Sequence, residues 1–361
     1  MKKFLVVLLI LAVAGGAFAQ LTLTGNVTGG VQTLLDFDKE TYYLNGRPND
    51  GAFRMQLNGA YTNADKTSGA NFQLRFNQGG LSAMGNDVLG PTIESAYGWF
   101  KPMDIITIYA GRNGVGGFGT PASVDVSNGV IGDARLGLSI KLEPMDGLVV
   151  GFTVNPGILG NEAIWRALYK FGMTYTMPDL VKIVANGSVN NGRINVAAGF
   201  DILALKDMGI TKLAVDAALE GLNYFDNNGL FQLGQTVTYA SGDISATLRS
   251  TQLLPLGANS ATDKGMVIRI HATGSYTMGD IVPSLGVGFV MNGGTSITDH
   301  RSWNGLASAY AKDTNGLIIN PQVQFKIGGG TIDFGYSAMV QMHDTNDHFK
   351  NSIYVNFNRA F

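Results

Sequence analysis

Twelve basic side chains stand singly, most of them beside apolar neighbours, in alternating stretches of this chain: Arg54, Arg75, Arg135, Lys141, Arg166, Lys170, Lys182, Arg193, Lys212, Arg249, Arg269 and Lys326. Glu94, Asp216, Glu220 and Asp333 occupy equivalent positions, so the acids are the minority. Charges scattered in this way do not converge on one reacting atom. Along the wall of a narrow aqueous passage they would act by their field, because low-dielectric walls focus it and concentrate anions. Pairing among some of them, or with acids on loops, would brace the wall, and the two roles are compatible.

Bond-making chemistry has little to work with. Of His271, His300, His343 and His348, only His271 lies inside a regular segment, and no serine or acid motif accompanies it. The run His343-Asp344-Thr345-Asn346-Asp347-His348 brings hard and imidazole ligands close together, yet it reads as a solvated loop and no metal is expected there. Cysteine is absent, which removes disulfides and thiolate sites. The expectation is a protein without catalytic residues or cofactor, and nothing in its charge suggests nucleic acid.

The elements that carry these charges are strands. In Phe53-Arg54-Met55-Gln56-Leu57-Asn58 apolar and polar residues alternate without error, as they do in Asn71-Phe72-Gln73-Leu74-Arg75-Phe76-Asn77. The pattern returns in 135–142, 212–220, 245–249, 268–271 and 322–327. Successive strand residues point to opposite faces, so each strand has an apolar and a wet face. A soluble sandwich also alternates, but it would hide the apolar face in a dry core and would rarely hold so many mid-strand Arg and Lys.

Charged residues are only 14% of the chain, while 49 glycines stand beside 10 prolines. That is a low charge content for a water-soluble globule. Beyond the N-terminus no apolar run is long enough for a membrane helix, and the other structure that satisfies its backbone inside lipid is a closed barrel. At the N-terminus, Lys2 and Lys3 precede an apolar run from Phe4 to Val13 and then Ala17-Phe18-Ala19. This has the form of a secretory signal cleaved before Gln20. Its loss makes the mature chain more acidic than the full-length charge of −2. Residues 1–19 are therefore expected to be a signal peptide and 20–361 one barrel domain.

Short turns rich in Gly, Asp and Pro fall at 101–104, 143–147, 177–179, 206–209, 241–243, 278–280 and 328–330. Between them lie long polar stretches, at 36–50, 78–91, 113–133, 155–162, 221–228, 255–264 and 292–315. This predicts an all-β transmembrane antiparallel barrel of about 18 strands, with 16 as the alternative, short periplasmic turns and long extracellular loops. The count leans on Asn190-Asn191-Gly192 acting as an unusually short outer hairpin. Trp99, Phe100, Tyr175, Tyr239 and Tyr276 each precede a short turn and are expected at the membrane interface.

Ile353-Tyr354-Val355-Asn356-Phe357-Asn358-Arg359-Ala360-Phe361 resembles the C-terminal strand signal of bacterial outer-membrane proteins. Ile353, Val355, Phe357 and the terminal Phe361 match it, whereas Arg359 departs from it. The resemblance implies insertion by the barrel assembly machinery into outer-membrane lipid. Ala96-Tyr97-Gly98-Trp99-Phe100 through Ala110-Gly111-Arg112-Asn113-Gly114 is similar to the hairpin of general diffusion porins that launches a loop into the pore. That likeness would place Arg112 at the pore and make 113–133, with Asp125 and Asp133, a constriction loop; the alternative is an ordinary external loop. The style of the turns also looks like that of spirochaete outer-membrane proteins. Taken together, the expected function is a water-filled channel for small hydrophilic solutes, mildly anion-preferring and compatible with a homo-oligomer. The competing reading is an adhesive surface barrel whose outer loops bind a partner.

Overall fold

A computed structural model of the chain describes residues 19–36, 41–46, 53–78, 91–112, 118, 121–122, 136–155, 168–190, 193–223, 229–256, 266–292, 297–299, 308–310, 314–342 and 348–361. These residues form strands joined by turns, with a single 3-10 turn at Lys206–Met208. The first eleven strands are β1 (Ala19–Asp36), β2 (Thr41–Gly46), β3 (Phe53–Asn63), β4 (Ser68–Gln78), β5 (Pro91–Met103), β6 (Ile106–Arg112), β7 (Leu136–Met145), β8 (Leu148–Asn155), β9 (Leu168–Met177), β10 (Val181–Asn190) and β11 (Arg193–Ile202). They are followed by β12 (Ile210–Asn223), β13 (Gly229–Ser241), β14 (Ile244–Leu256), β15 (Val267–Tyr276), β16 (Ile281–Asn292), β17 (Ile297–Asp299), β18 (Ser308–Tyr310), β19 (Thr314–Ile327), β20 (Gly330–Met342) and β21 (His348–Ala360).

Every pairing is antiparallel, and the sheet closes on itself. The first half of β1 pairs with β3, from Ala19↔Asn63 to Gly29↔Phe53, and its other edge pairs with β21, from Asn26↔Ala360 to Asp36↔Lys350. β2 covers only the part of β1 that β3 does not reach, Val31 to Asp36. β17 and β18 pair with each other, apart from the main sheet. Eighteen strands therefore act as staves. Closure leaves no free sheet edge, so the ladders between neighbouring staves satisfy the backbone within the wall, apart from local bulges.

Parity then sorts the side chains. Outward positions carry a belt of exposed apolar residues, among them Leu138, Phe152, Phe171, Phe200, Leu248, Leu285 and Phe334. An apolar surface that wraps the whole wall is tolerable only against lipid. Phe100, Tyr175, Tyr239 and Tyr276 all have outward parity close to short turns, where the amphipathic ring fits the boundary between lipid and water. Trp99 departs from the expectation. It pairs with Gly69 and Tyr109 on the inward parity, because β5 contains an extra residue.

Much of the glycine is explained by close approach. Gly59 pairs with Phe72, Gly69 with Trp99, Gly187 with Phe171 and Gly335 with Tyr354, and in each case the ring occupies the space that a Cβ would fill. The aromatic covers the backbone that glycine leaves bare and joins two neighbouring staves. Phe361 does the same over Gly25 at the seam, where Gly25 N–H donates to the Phe361 carbonyl at 2.8 Å and Phe361 N–H donates to the Gly25 carbonyl at 2.9 Å.

Candidate functional site

The site is the inner wall, and most of the charges singled out in the sequence lie on its parity. Arg54 lies across from Thr28 and Arg75 from Gln56. Lys141 is opposite Thr107, Lys170 opposite Thr153 and Ser188, Lys182 opposite Thr176, and Arg193 opposite Asn190. Lys212 faces Thr238, Arg249 faces Thr236 and His271, Arg269 faces Thr251, and Lys326 faces Thr331. Of the acids, Asp216 pairs with Gly199 and Gly234, while Asp333 pairs with Gln324, whose Nε2 donates to its Oδ1 at 2.8 Å. Gln232 reaches Glu220 Oε2 at 3.5 Å.

Three of these charges are nearly sealed: Lys170 is 4% exposed, Asp216 1% and Arg269 7%. None of the three is isolated, as burial of a charge requires. Near the short-turn end Lys141 Nζ and Glu143 Oε1 form an ion pair of 2.9 Å, which takes one cation out of the ladder. Lys182 lies opposite Asp201, an inward acid that sequence reasoning passed over, although the alternation Asn195, Ala197, Gly199, Asp201 carries its signal. Lys350 has the same parity as the buried Ser352 and Tyr354 and was also missed.

Arg112 requires a correction. It pairs with Ala96 on one side and Leu136 on the other, two residues along from the exposed pair Ala110 and Leu138, so its register is the outward one. Gly111 just before it has φ +129°, a backbone bend reserved for glycine at the end of the strand. Glu94 is the extra residue of a bulge: Gln73 pairs with Ser95 but Leu74 with Ile93. Its side chain lies outside the described residues, as do Asp125, Asp133, Arg135, Arg166 and the run 343–347.

One further inward feature is apolar. Leu253, Val267, Val290, Ile318 and Met339, with Leu230 against them, form a buried cluster near the loop ends of β13 to β20. Period-2 reading assigned that face to polar residues, so the cluster could not be anticipated from parity alone.

Phe118 and Ala122, beyond β6 in the sequence, lie against the inner face of the wall. Phe118 is 2% exposed and packs against Ala197 and Ala218, with Tyr109 and Val149 at its margin. Its ring fills the space where a Gly172 Cβ would stand. The Phe118 carbonyl accepts from Asn186 Nδ2 at 2.5 Å, and four residues on the Ala122 carbonyl accepts from the Thr236 hydroxyl at 3.1 Å. The seat is one continuous register row across β8 to β12: Gly151, Gly172, Asn186, Ala197 and Ala218. Small side chains in adjacent staves make a trough, and the trough takes an aromatic ring. Phe118 and Ala122 are thus fastened to the inner wall between β8 and β13.

A closed wall of eighteen staves, an apolar belt outside, charges inside and Phe118 seated on the inner face form one recognisable arrangement. The fold is that of the outer-membrane porins. Crystal structures of Acinetobacter baumannii OccAB4 and of Pseudomonas aeruginosa OccD3 and OccK11 superpose on it over almost the full length. For OccAB4 the TM-score is 0.57 at 11% identity, covering 96% of this chain and 99% of that one. For OccD3 it is 0.58 at 12%, covering 94% and 91%, and for OccK11 0.58 at 8%, covering 94% and 96%. No family model and no curated protein matches the sequence.

Proposed function

We propose that the protein is an outer-membrane channel for passive diffusion of small hydrophilic solutes, narrowed by the segment seated on β8 to β12 and mildly anion-preferring. What carries this reading is the seated segment inside a wall whose charges face inward. At eighteen strands a barrel is too wide for its own side chains to fill, so the lumen holds water and the inner loop sets its width. The apolar belt places the protein in lipid, and an exported chain bearing the C-terminal aromatic signal reaches the outer membrane through the assembly machinery.

The preference for anions follows from placement. Basic side chains exceed acidic ones on the inward parity, although the whole chain is slightly acidic. The effect is small. A unit charge about 8 Å from a passing ion contributes about 0.5 kcal/mol in water before salt screens it. The Lys141–Glu143 pair and the Lys182–Asp201 juxtaposition reduce it further.

The measurement is planar-bilayer conductance and reversal potential across a salt gradient. An anion-selective reversal potential is expected, and changing Arg54, Arg75 and Arg249 together to Gln should lower the anion-to-cation ratio about twofold to fourfold. Cation selectivity in the original protein, or no change in the triple variant, would defeat the charge argument. Absence of any conductance would defeat the channel.

A further inference from the structure

Aromatic rings near the short turns of this barrel mostly point outward, as with Phe100, Tyr239 and Tyr276. On β5 the bulge at Glu94 reverses the facing beyond it. Ile93 is outward and exposed, yet Ser95, Tyr97 and Trp99 pair with Gln73, Asn71 and Gly69 on the inward face. Bulges often serve to re-aim side chains. Trp99 also lies directly across from Tyr109 of β6, and the rings of Tyr97 and Tyr109 meet edge to face with centroids 5.9 Å apart. Three aromatic side chains are thereby gathered on the water side of the wall.

On the β1, β3 and β4 side their surroundings are polar and uncharged, while Lys101 of β5 and Lys141 of β7 lie toward the short turns. Below Arg54 and Arg75, the inward positions of β1, β3 and β4 carry only Thr, Asn, Gln, Ala and Gly. Gln56 and Gln73 both donate to Asn58 Oδ1, at 3.1 and 2.9 Å, which holds the amides in one plane of contact. Asn71 hydrogen-bonds Tyr97. Higher on β1, the buried Asn26 Oδ1 and Thr28 hydroxyl have no hydrogen-bond partner among the described residues; the amide oxygen accepts, and the hydroxyl both donates and accepts. Tyr109 also packs against the cluster that holds Phe118, so this patch borders the seat of that ring.

Aromatic faces offer contact to apolar C–H surfaces, and amides both donate and accept. A pyranose ring presents both kinds of surface: C–H groups on its faces and hydroxyls around its edge. We propose that the inner wall of β1 and β3 to β6 is a subsite for neutral saccharides, with the sugar ring on Trp99 or Tyr97 and its hydroxyls on Asn58, Asn71 and Gln73. This rests on the channel reading and adds a solute class to it. The inward charges, among them Arg54 and Arg75 nearer the loop ends of β3 and β4, act on ions by their field, whereas this patch holds an uncharged solute by contact.

The test uses the full-length protein in planar bilayers, with maltotriose as one probe and a polyethylene glycol of equal hydrodynamic radius as the other. The glycol accepts hydrogen bonds but donates almost none and has no flat C–H face. Maltotriose is expected to reduce the ion current saturably, and the glycol only in proportion to excluded volume. Trp99→Ala should raise the half-blocking maltotriose concentration about tenfold, the loss of about 1.4 kcal/mol of binding, with the glycol response unchanged. Trp99→Phe should retain most of the block, and Tyr97→Ala gives an independent variant should the first fold poorly. With Trp165 and Trp303 changed to Phe, the emission of Trp99 should shift with maltotriose at the same half-saturation. Equal effects of the two probes on a conducting channel, or an unchanged block in both alanine variants, overturn the subsite alone. A protein that conducts no ions overturns the channel reading and the subsite with it.

Discussion

Phe118→Ala should produce a channel of higher and noisier conductance whose barrel is intact. The ring is 2% exposed in a trough of Gly and Ala, and truncating a buried Phe costs about 3–5 kcal/mol where the cavity cannot collapse. Among the described residues, the Asn186 and Thr236 hydrogen bonds then remain as fastenings, each contributing about 0.5–1.5 kcal/mol net. Loss of about 3–4 kcal/mol lowers the ratio of seated to unseated loop by about two to three powers of ten. The wall is untouched, because Phe118 belongs to no strand pairing. Gly172→Val should give the same phenotype from the other partner, since its new side chain occupies the position of the ring. Single-channel recordings decide this, with heat-modified electrophoretic mobility as the check on folding. Conductance equal to that of the original protein in both variants would show that the seat does not set the pore.

Deleting Phe361 should remove most of the folded protein from the membrane while leaving whatever does fold nearly as heat-resistant as before. The ring is 62% exposed, so its burial contributes little. The deletion also removes the two hydrogen bonds to Gly25, and together these losses come to about 2–4 kcal/mol. A closed wall of eighteen staves tolerates that. Assembly is expected not to, because the terminal aromatic belongs to the stretch that resembles the C-terminal assembly signal and also ties the chain end to Gly25 of β1. Gly25→Leu should imitate the deletion in part, since a side chain there meets the ring and the Gln56 carbonyl. Quantitative immunoblots of membrane fractions, read beside thermal unfolding of the purified remainder, separate the two effects. Normal membrane levels after deletion would refute the resemblance to the assembly signal.

The staves were legible because membrane strands repeat one simple rule. Arg54, Gln56 and Asn58 stand against Met55 and Leu57 with no interruption, and one face per strand then follows from parity. The strand count was legible from turn chemistry, including the two-residue step between Asn190 and Arg193, which the pairing of those two residues confirms as a tight hairpin. Bulges were not legible. Glu94 shifts the facing of Tyr97 and Trp99, and a further irregularity lies between Ile210 and Lys212. An inserted residue leaves no mark in composition, yet it reverses everything after it. The same limit misplaced Arg112, at a glycine-bent strand end.

The seat of Phe118 was hidden for a different reason. Gly151, Gly172, Ala197 and Ala218 are spread over four strands and become neighbours only when those strands are in register. Each is unremarkable in its own strand. Similarly, the apolar residues from Leu253 to Met339 keep strict period-2 spacing with the inward charges, so only assembly shows that they meet. Features that depend on one strand were readable; features that depend on several strands lying side by side were not.

The glycine and aromatic pairs across neighbouring staves carry a consequence for how this sequence can drift over generations. Gly59 with Phe72, Gly187 with Phe171 and Gly335 with Tyr354 are each two positions sharing one volume. A larger residue at the glycine collides with the ring, and a smaller one in place of the ring strips cover from bare backbone. Either change alone is a step downhill, while the exchange that moves the ring to the other stave and the glycine opposite it keeps the volume filled. Such pairs should therefore be inherited as units: when related chains are aligned, substitutions at Gly59 and Phe72 should occur together far more often than substitutions at either with Met55 or Leu57.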